Sequence, residues 1–217
     1  MFKLFHCTLL VIAGCSFLLS GCGPKTGEPA DNGQAHFPQI NCIGVLPAAF
    51  LAKGQVVPVY VPEEKSSRQG VQVMNEILSE QLGGKSNIRF IGIDQLASLD
   101  LAGGENTLEI ARLVGKNINC NAVLESTVKR FSQRIGGRYS VESPASVSFE
   151  MRLFSLETSS VLWSAKFDEV QKSVMENILE WNKATTRGFV WVTAEELMQE
   201  GVKRKLAGGT YFNSEGK

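Results

Sequence analysis

Ile43-Gly44-Val45-Leu46-Pro47-Ala48-Ala49-Phe50 carries no polar side chain. A strand with one face in water alternates apolar and polar residues. A run without a polar face is what a strand covered on both sides requires, as in a parallel sheet. Residues 51–65 follow as a loop containing Pro58 and Pro62. Val71, Met74, Ile77, Leu78 and Leu82 then recur at helical spacing, and Gly83-Gly84 ends that helix. Residues 88–93 read as a second strand. Asp94 opens a short helical turn carrying Leu96 and Leu99. Asn106 with Glu109 makes a capping-box pattern for a helix that places Leu108, Ala111 and Val114 on one face and stops near Gly115. Residues 122–131 form a third strand.

The second half changes character. Residues 147–154 and 161–167 read as a hairpin across Glu157-Thr158-Ser159-Ser160, after a turn or loop at Gly136-Gly137. Helices are expected over 171–185 and 193–206, the latter opened by a Thr193/Glu196 capping box. The order is β-α-β-α-β-β-β-α-α. Right-handed crossovers make the first three strands parallel. The expected fold is therefore α/β: a single five-stranded mixed sheet of order 2-1-3-4-5, ending in an antiparallel hairpin, with helices packed on it.

The N-terminal end reads as an export leader. Lys3 is followed by an almost wholly apolar run from Leu4 to Leu19, short for a membrane span. Leu19-Ser20-Gly21-Cys22 resembles the lipobox of bacterial lipoproteins, in which small residues precede the cysteine whose sulfur takes the lipid. Ile12-Ala13-Gly14-Cys15 also matches, but too short an apolar run precedes it. The expected organisation is a signal peptide over 1–21, lipidated Cys22 with a flexible polar tether over 22–39, an α/β domain over 40–208 and a tail over 209–217. Fully extended, the tether spans at most ~60 Å. Residue 23 is Gly; an Asp there resembles an inner-membrane retention signal, so the expected address is the outer membrane, with the domain in the periplasm.

Composition narrows the chemistry. Basic and acidic residues balance at 22 each, which gives no electrostatic reason to bind nucleic acid. The two histidines are His6, in the leader, and His36, in the tether. A folded body without histidine excludes Ser-His-Asp and Cys-His catalysis and argues against a catalytic zinc site. No phosphate-cradling loop or dinucleotide fingerprint is present. Ser126-Thr127-Val128-Lys129 matches an SxxK pattern, but in a strand Ser126 and Lys129 point to opposite faces. Glu195 and Glu196 suit the first turn of a helix better than paired acid catalysis. Trp163, Trp181 and Trp191 read as core, and Arg130, Arg134 and Arg138 as a solvated hairpin end. No catalytic residue, metal ligand or cofactor is expected.

Two features remain. Val56, Val57, Val59, Tyr60 and Val61 are notably apolar for a loop. They suit a partner contact, or a loop folded back on its own sheet. Of the five cysteines, Cys42 and Cys120 each precede a Val-Leu pair by the same interval, which places them at equivalent points of neighbouring parallel strands. A disulfide and a pair of buried free thiols both fit that placement.

With the lipobox and strand order in place, the chain resembles the small periplasmic lipoproteins that share a fold with the curli secretion lipoprotein CsgG, the penicillin-binding-protein activator LpoB and the N-terminal domain of TolB. Ile43-Gly44-Val45-Leu46-Pro47 is similar to the family's first strand. Asn119-Cys120-Asn121-Ala122-Val123, leading into Leu124-Glu125-Ser126, is similar to its Gly-Ala-Asp-Ala-Val stretch. Leu156-Glu157-Thr158-Ser159-Ser160-Val161-Leu162-Trp163 is similar to a hairpin that reads Asp, Thr-Gly and Leu-Trp; here Ser stands for the Gly. The resemblance implies a non-enzymatic accessory lipoprotein that binds an envelope partner or assembles with itself. A secretion-channel subunit and a periplasmic hydrolase are the alternatives, the first requiring membrane-spanning hairpins.

Overall fold

The computed structural model describes residues 39–99, 107–137, 141–171 and 191–212. The leader, Cys22, Asn106, Arg138, Trp181 and all of the helix read over 171–185 beyond Gln171 lie outside the described residues. The architecture is α/β. In chain order the elements are β1 (Ile43–Val45), β2 (Ala49–Phe50), α1 (Lys65–Leu82), β3 (Ile88–Phe90), α2 (Ile93–Ala97) and α3 (Thr107–Ile118). They continue with β4 (Ala122–Ser132), β5 (Ile135–Gly136), β6 (Val141–Ser143), β7 (Ser146–Ser155), β8 (Val161–Val170) and α4 (Ala194–Ala207), closed by a 3₁₀ turn at Thr210–Phe212.

The main sheet has six strands, β3-β1-β4-β7-β8, with β2 also on β4. β1 lies parallel to β3 and β4, whereas β4–β7 and β7–β8 are antiparallel. This corrects the plain five-stranded sheet of order 2-1-3-4-5, since β2 adds a sixth strand off that path. The apolar run from Ile43 to Phe50 is two strands, because Pro47 has no N–H to give the ladder. Leu46 N still donates to Leu124 O at 3.0 Å. Ala48 N turns instead to Asn75 Oδ1 of α1 at 2.7 Å. The chain then rejoins β4, pairing Ala49 with Thr127 and Phe50 with Val128. A separate two-stranded ladder, β5–β6, stands where a turn or loop at Gly136-Gly137 is expected from sequence.

Alternation along β4 builds two cores. Ala122, Leu124 and Val128 face a cluster containing Met74 and Leu78 of α1, Phe149 and Met151 of β7, and Leu197 and Met198 of α4. Val123, on the opposite face, joins Leu46, Ile91, Leu96 and, from α3, Ile110 and Val114. The register shifts between Val128 and Arg130. This bulge returns Phe131 to the first face, three positions after Val128. α1 crosses β4 closely at Gly70, where a Cβ would come within 2.7 Å of Phe131 Cβ.

α3 continues to Ile118 rather than stopping at Gly115. A Cβ on Gly115 would lie 1.9 Å from Leu156 Cδ1, so this glycine serves packing and does not end the helix. The helix ends at Asn119, whose φ of 53° is left-handed. At α4, Thr193 Oγ1 accepts from Glu196 N at 3.2 Å and Glu196 Oε2 accepts from Thr193 N at 2.8 Å, a reciprocal cap.

Candidate functional site

The strand order reverses at β1, and the crevice at the carboxyl ends of strands flanking such a point is where open α/β sheets hold ligands. There, Pro47, the residues before α1, α1 itself and the start of α2 surround an opening of about 290 Å³, lined by Pro47, Tyr60, Val61, Pro62, Asn75 and Ile93 among others. A neighbouring cavity of about 280 Å³ shares Pro47, Asn75 and Ile93 and adds Phe90. Val61, Phe90 and Ile93 are 66%, 42% and 40% exposed. A third cavity of about 520 Å³ lies between α2 and α3, lined by Leu99, Leu113 and Asn117 among others.

The apolar loop divides between two roles. Phe50 and Val59 exchange backbone hydrogen bonds, each 2.8 Å, so the loop closes back on β2. Val56 and Val57 stand out at 91% and 50% exposed, while Val59 is 37% exposed. Tyr60 turns inward and packs against the second core with Leu46 and Val123. Its hydroxyl is buried, with no hydrogen-bond partner among the described residues. Burial, and after it the negative charge of Glu125, push that hydroxyl from 10.0 up to about 12. Because the folded value is raised, the unfolded chain ionises first and stability falls as pH rises from about 10 towards 12. Tyr60→Phe is expected to stabilise the fold by about 1 kcal/mol at neutral pH, since an unpaired buried polar group is removed, and to flatten that alkaline decline. Urea unfolding at both pH values checks this; a loss of stability would mean that the hydroxyl is bonded.

The second face of β4, β7 and β8 carries ion pairs in place of apolar packing. Glu125, 3% exposed, accepts from Arg152 at 2.9 Å (Nε) and 2.7 Å (Nη2), and the Arg152 guanidinium lies 5.3 Å from the Phe154 ring centroid. Glu150 meets Lys129 at 2.6 Å and Lys166 at 3.7 Å. Burial pushes the Glu150 carboxyl up, but the hydrogen bond and charge of Lys129, with the charges of Lys166 and Arg152, leave it below the usual carboxylate range. Arg130 pairs with Asp168 and Ser146. Charges matched in this way leave little free valence for a ligand.

The other residues singled out in the sequence fall apart in space. Ser126 is fully buried, whereas Lys129 is exposed and held by Glu150. Glu195 accepts from Gln69 at 2.8 Å and Gln133 at 2.6 Å, and Glu196 serves the α4 cap. Trp163 meets Phe212 edge-on at 5.0 Å, beside the first core. Arg134 donates to Gly136 O at 3.3 Å. Among the described residues no cluster of His, Cys, Asp and Glu could hold a metal ion, and no helix is long and apolar enough to cross a membrane.

Cys42 and Cys120 form a disulfide, with their Cα atoms 4.6 Å apart. The adjacent Asn121, which sequence reasoning did not pick out, clamps the incoming chain. Its Oδ1 accepts from Asn41 N at 3.0 Å and Cys42 N at 3.2 Å, and its Nδ2 donates to Gln39 O at 2.6 Å. The chain thus enters at the amino end of β1, and the opening described above lies past the carboxyl end.

No protein-family model and no curated protein sequence matches the chain. Among solved structures it is similar to the PelC dodecamer from Paraburkholderia phytofirmans, at 13% identity over 77% of this chain and 85% of that one, with a TM-score of 0.42. It is similar to lipoprotein GNA1162 from Neisseria meningitidis at 15% identity, over 67% and 95% of the two chains, with a TM-score of 0.38. The LpoB C-terminal domain from Salmonella enterica matches at 14% identity, over 64% and 89%, with a TM-score of 0.37. At such scores these likenesses say nothing of what this chain binds.

Proposed function

We propose that the chain is a lipid-anchored, non-enzymatic binding module of the bacterial cell envelope. Cys22 holds it to the outer membrane, the domain faces the periplasm, and another envelope component docks at the carboxyl-end opening. The observation that carries this reading is the set Val61, Phe90 and Ile93, left exposed around that opening and the adjoining cavity while the helices cover both main cores. Exposed apolar groups gathered at one opening are a feature of interaction sites. Val56 and Val57 extend the same chemistry to the neighbouring loop tip.

The channel reading requires hairpins that offer an apolar face to lipid. β7 and β8 are each 10 residues long, the length needed, but Phe149, Met151, Leu153 and Phe167 are buried in the first core. That hairpin therefore belongs to the domain.

Two experiments test the proposal. Cys22→Ala is expected to abolish incorporation of radiolabelled palmitate and to leave the leader uncleaved; labelling that persists overturns the anchor. Val61→Ser with Ile93→Ser is expected to remove crosslinks to envelope partners in intact cells while the unfolding midpoint stays unchanged. Crosslinks that survive in a folded double variant would place the contact elsewhere.

A further inference from the structure

We propose that the carboxyl-end opening takes a segment of a partner protein whose apolar side chains are flanked by lysine or arginine. This rests on the binding reading above and adds the chemistry of the occupant. Pro47, Val61 and Ile93 give the opening apolar walls over the buried Val71, Gln72 and Asn75 add neutral polar groups, and Phe90 continues the apolar lining into the adjoining cavity. The surrounding charge is mostly negative. Glu76 lines the opening, Asp94 follows Ile93, and Glu63 and Glu64 follow Pro62; all four are exposed.

Arg68 also lines the opening and Lys65 heads α1, so two cations stand against these four carboxylates. Arg68 donates through Nε to Pro62 O at 3.1 Å and through Nη2 to Glu63 O at 2.9 Å, so its guanidinium staples the wall of the opening. Arg89 reaches across to Ile118 O at 2.5 Å. Lys65 follows the Glu63-Glu64 pair at the head of α1. Glu64 itself accepts from Ser66 and Ser67 at 2.5 and 2.7 Å, which fixes a carboxylate at that edge. An apolar centre with an acidic rim favours an occupant of opposite pattern, because rim charges steer encounter and reject like-charged partners. A second copy would bring the same acidic rim against itself across a two-fold axis. An anionic lipid surface would be repelled in the same way.

The full chain, purified in detergent, should be panned against a random peptide library alongside two variants: Val61→Ser/Ile93→Ser, and Glu63→Gln/Glu76→Gln/Asp94→Asn. Peptides retained by the wild type are expected to carry Lys or Arg beside apolar residues. Such a peptide should bind about tenfold more tightly than its Glu-flanked counterpart at low ionic strength, through rim pairs that are each weak. The charge variant should bring that ratio close to one, and the apolar variant should lose both peptides. If the apolar variant selects the same peptides as the wild type, the opening is not the contact surface and the underlying reading falls with the inference. If the apolar variant loses binding but basic and acidic flanks bind equally well, the reading stands and the inference is overturned. Failure to retain any peptide, a dimer that Ile93→Ser dissociates, or binding to phosphatidylglycerol vesicles would each overturn it as well.

Discussion

Replacing Cys42 and Cys120 together with serine is expected to lower the unfolding free energy by about 4 kcal/mol. The two residues are 78 positions apart, so the bridge closes most of the first half of the domain into a loop and restricts the unfolded chain accordingly. The folded state should change little, because Asn121 still holds Gln39, Asn41 and Cys42 without the sulfurs. Urea unfolding measures the loss, and a reducing agent should move the wild-type midpoint to that of the double variant. Alkylation of the denatured, unreduced chain tests the premise, since Cys42 and Cys120 should both escape the reagent. A reductant that leaves the midpoint where it was would exclude the bridge as a stabilising element.

The second large effect is expected at Arg152. Its partner Glu125 is 3% exposed, while Arg152 keeps 36% of its side-chain surface. Removing only the arginine leaves a carboxylate among packed neighbours without its counter-charge, and Arg152→Ala should cost about 3 kcal/mol. This lies at the low end of the range for broken buried pairs, because one partner is partly solvated. Part of the loss belongs to the contact with the Phe154 ring, 5.3 Å from the guanidinium. The double variant Glu125→Gln/Arg152→Met should recover most of the stability, since a pair replaced by groups of similar volume leaves no stranded charge. An Arg152→Ala variant within ~0.5 kcal/mol of wild type, as at an ordinary surface site, would show that water reaches Glu125.

Much of this architecture is legible in the amino-acid sequence, for one reason: faces buried by regular elements repeat. The spacing of Val71, Met74, Ile77 and Leu78 gives α1, and the Thr193/Glu196 pair gives the start of α4. Features that depend on a single contact are not periodic and do not show. The division of the first strand turns on Pro47 together with Asn75, an acceptor far along the chain. Gly115 reads as a helix stop, but its missing side chain accommodates Leu156. Nothing in Val56-Val57-Pro58-Val59-Tyr60-Val61 tells that Tyr60 turns to the core, since that choice depends on a cluster assembled from distant parts of the chain. For the candidate site, loop composition pointed to Val61, whereas Phe90 and Ile93 joined it only through the β1–β3 pairing and the α2 start. Asn121 has no local signal at all, because its role exists only once β1 and β4 lie side by side.

That arrangement at the chain's point of entry sets how the domain carries mechanical load. A pull on the segment before Gln39 reaches the fold through β1, which is 3 residues long and could be sheared from its neighbours on its own. The Cys42–Cys120 bond diverts the pull to the head of β4 before β1 is loaded. β4 is 11 residues long and is paired with β1 and β2 along one edge and β7 along the other. Tension is therefore spread over the middle of the sheet and does not fall on the short β1 ladder alone.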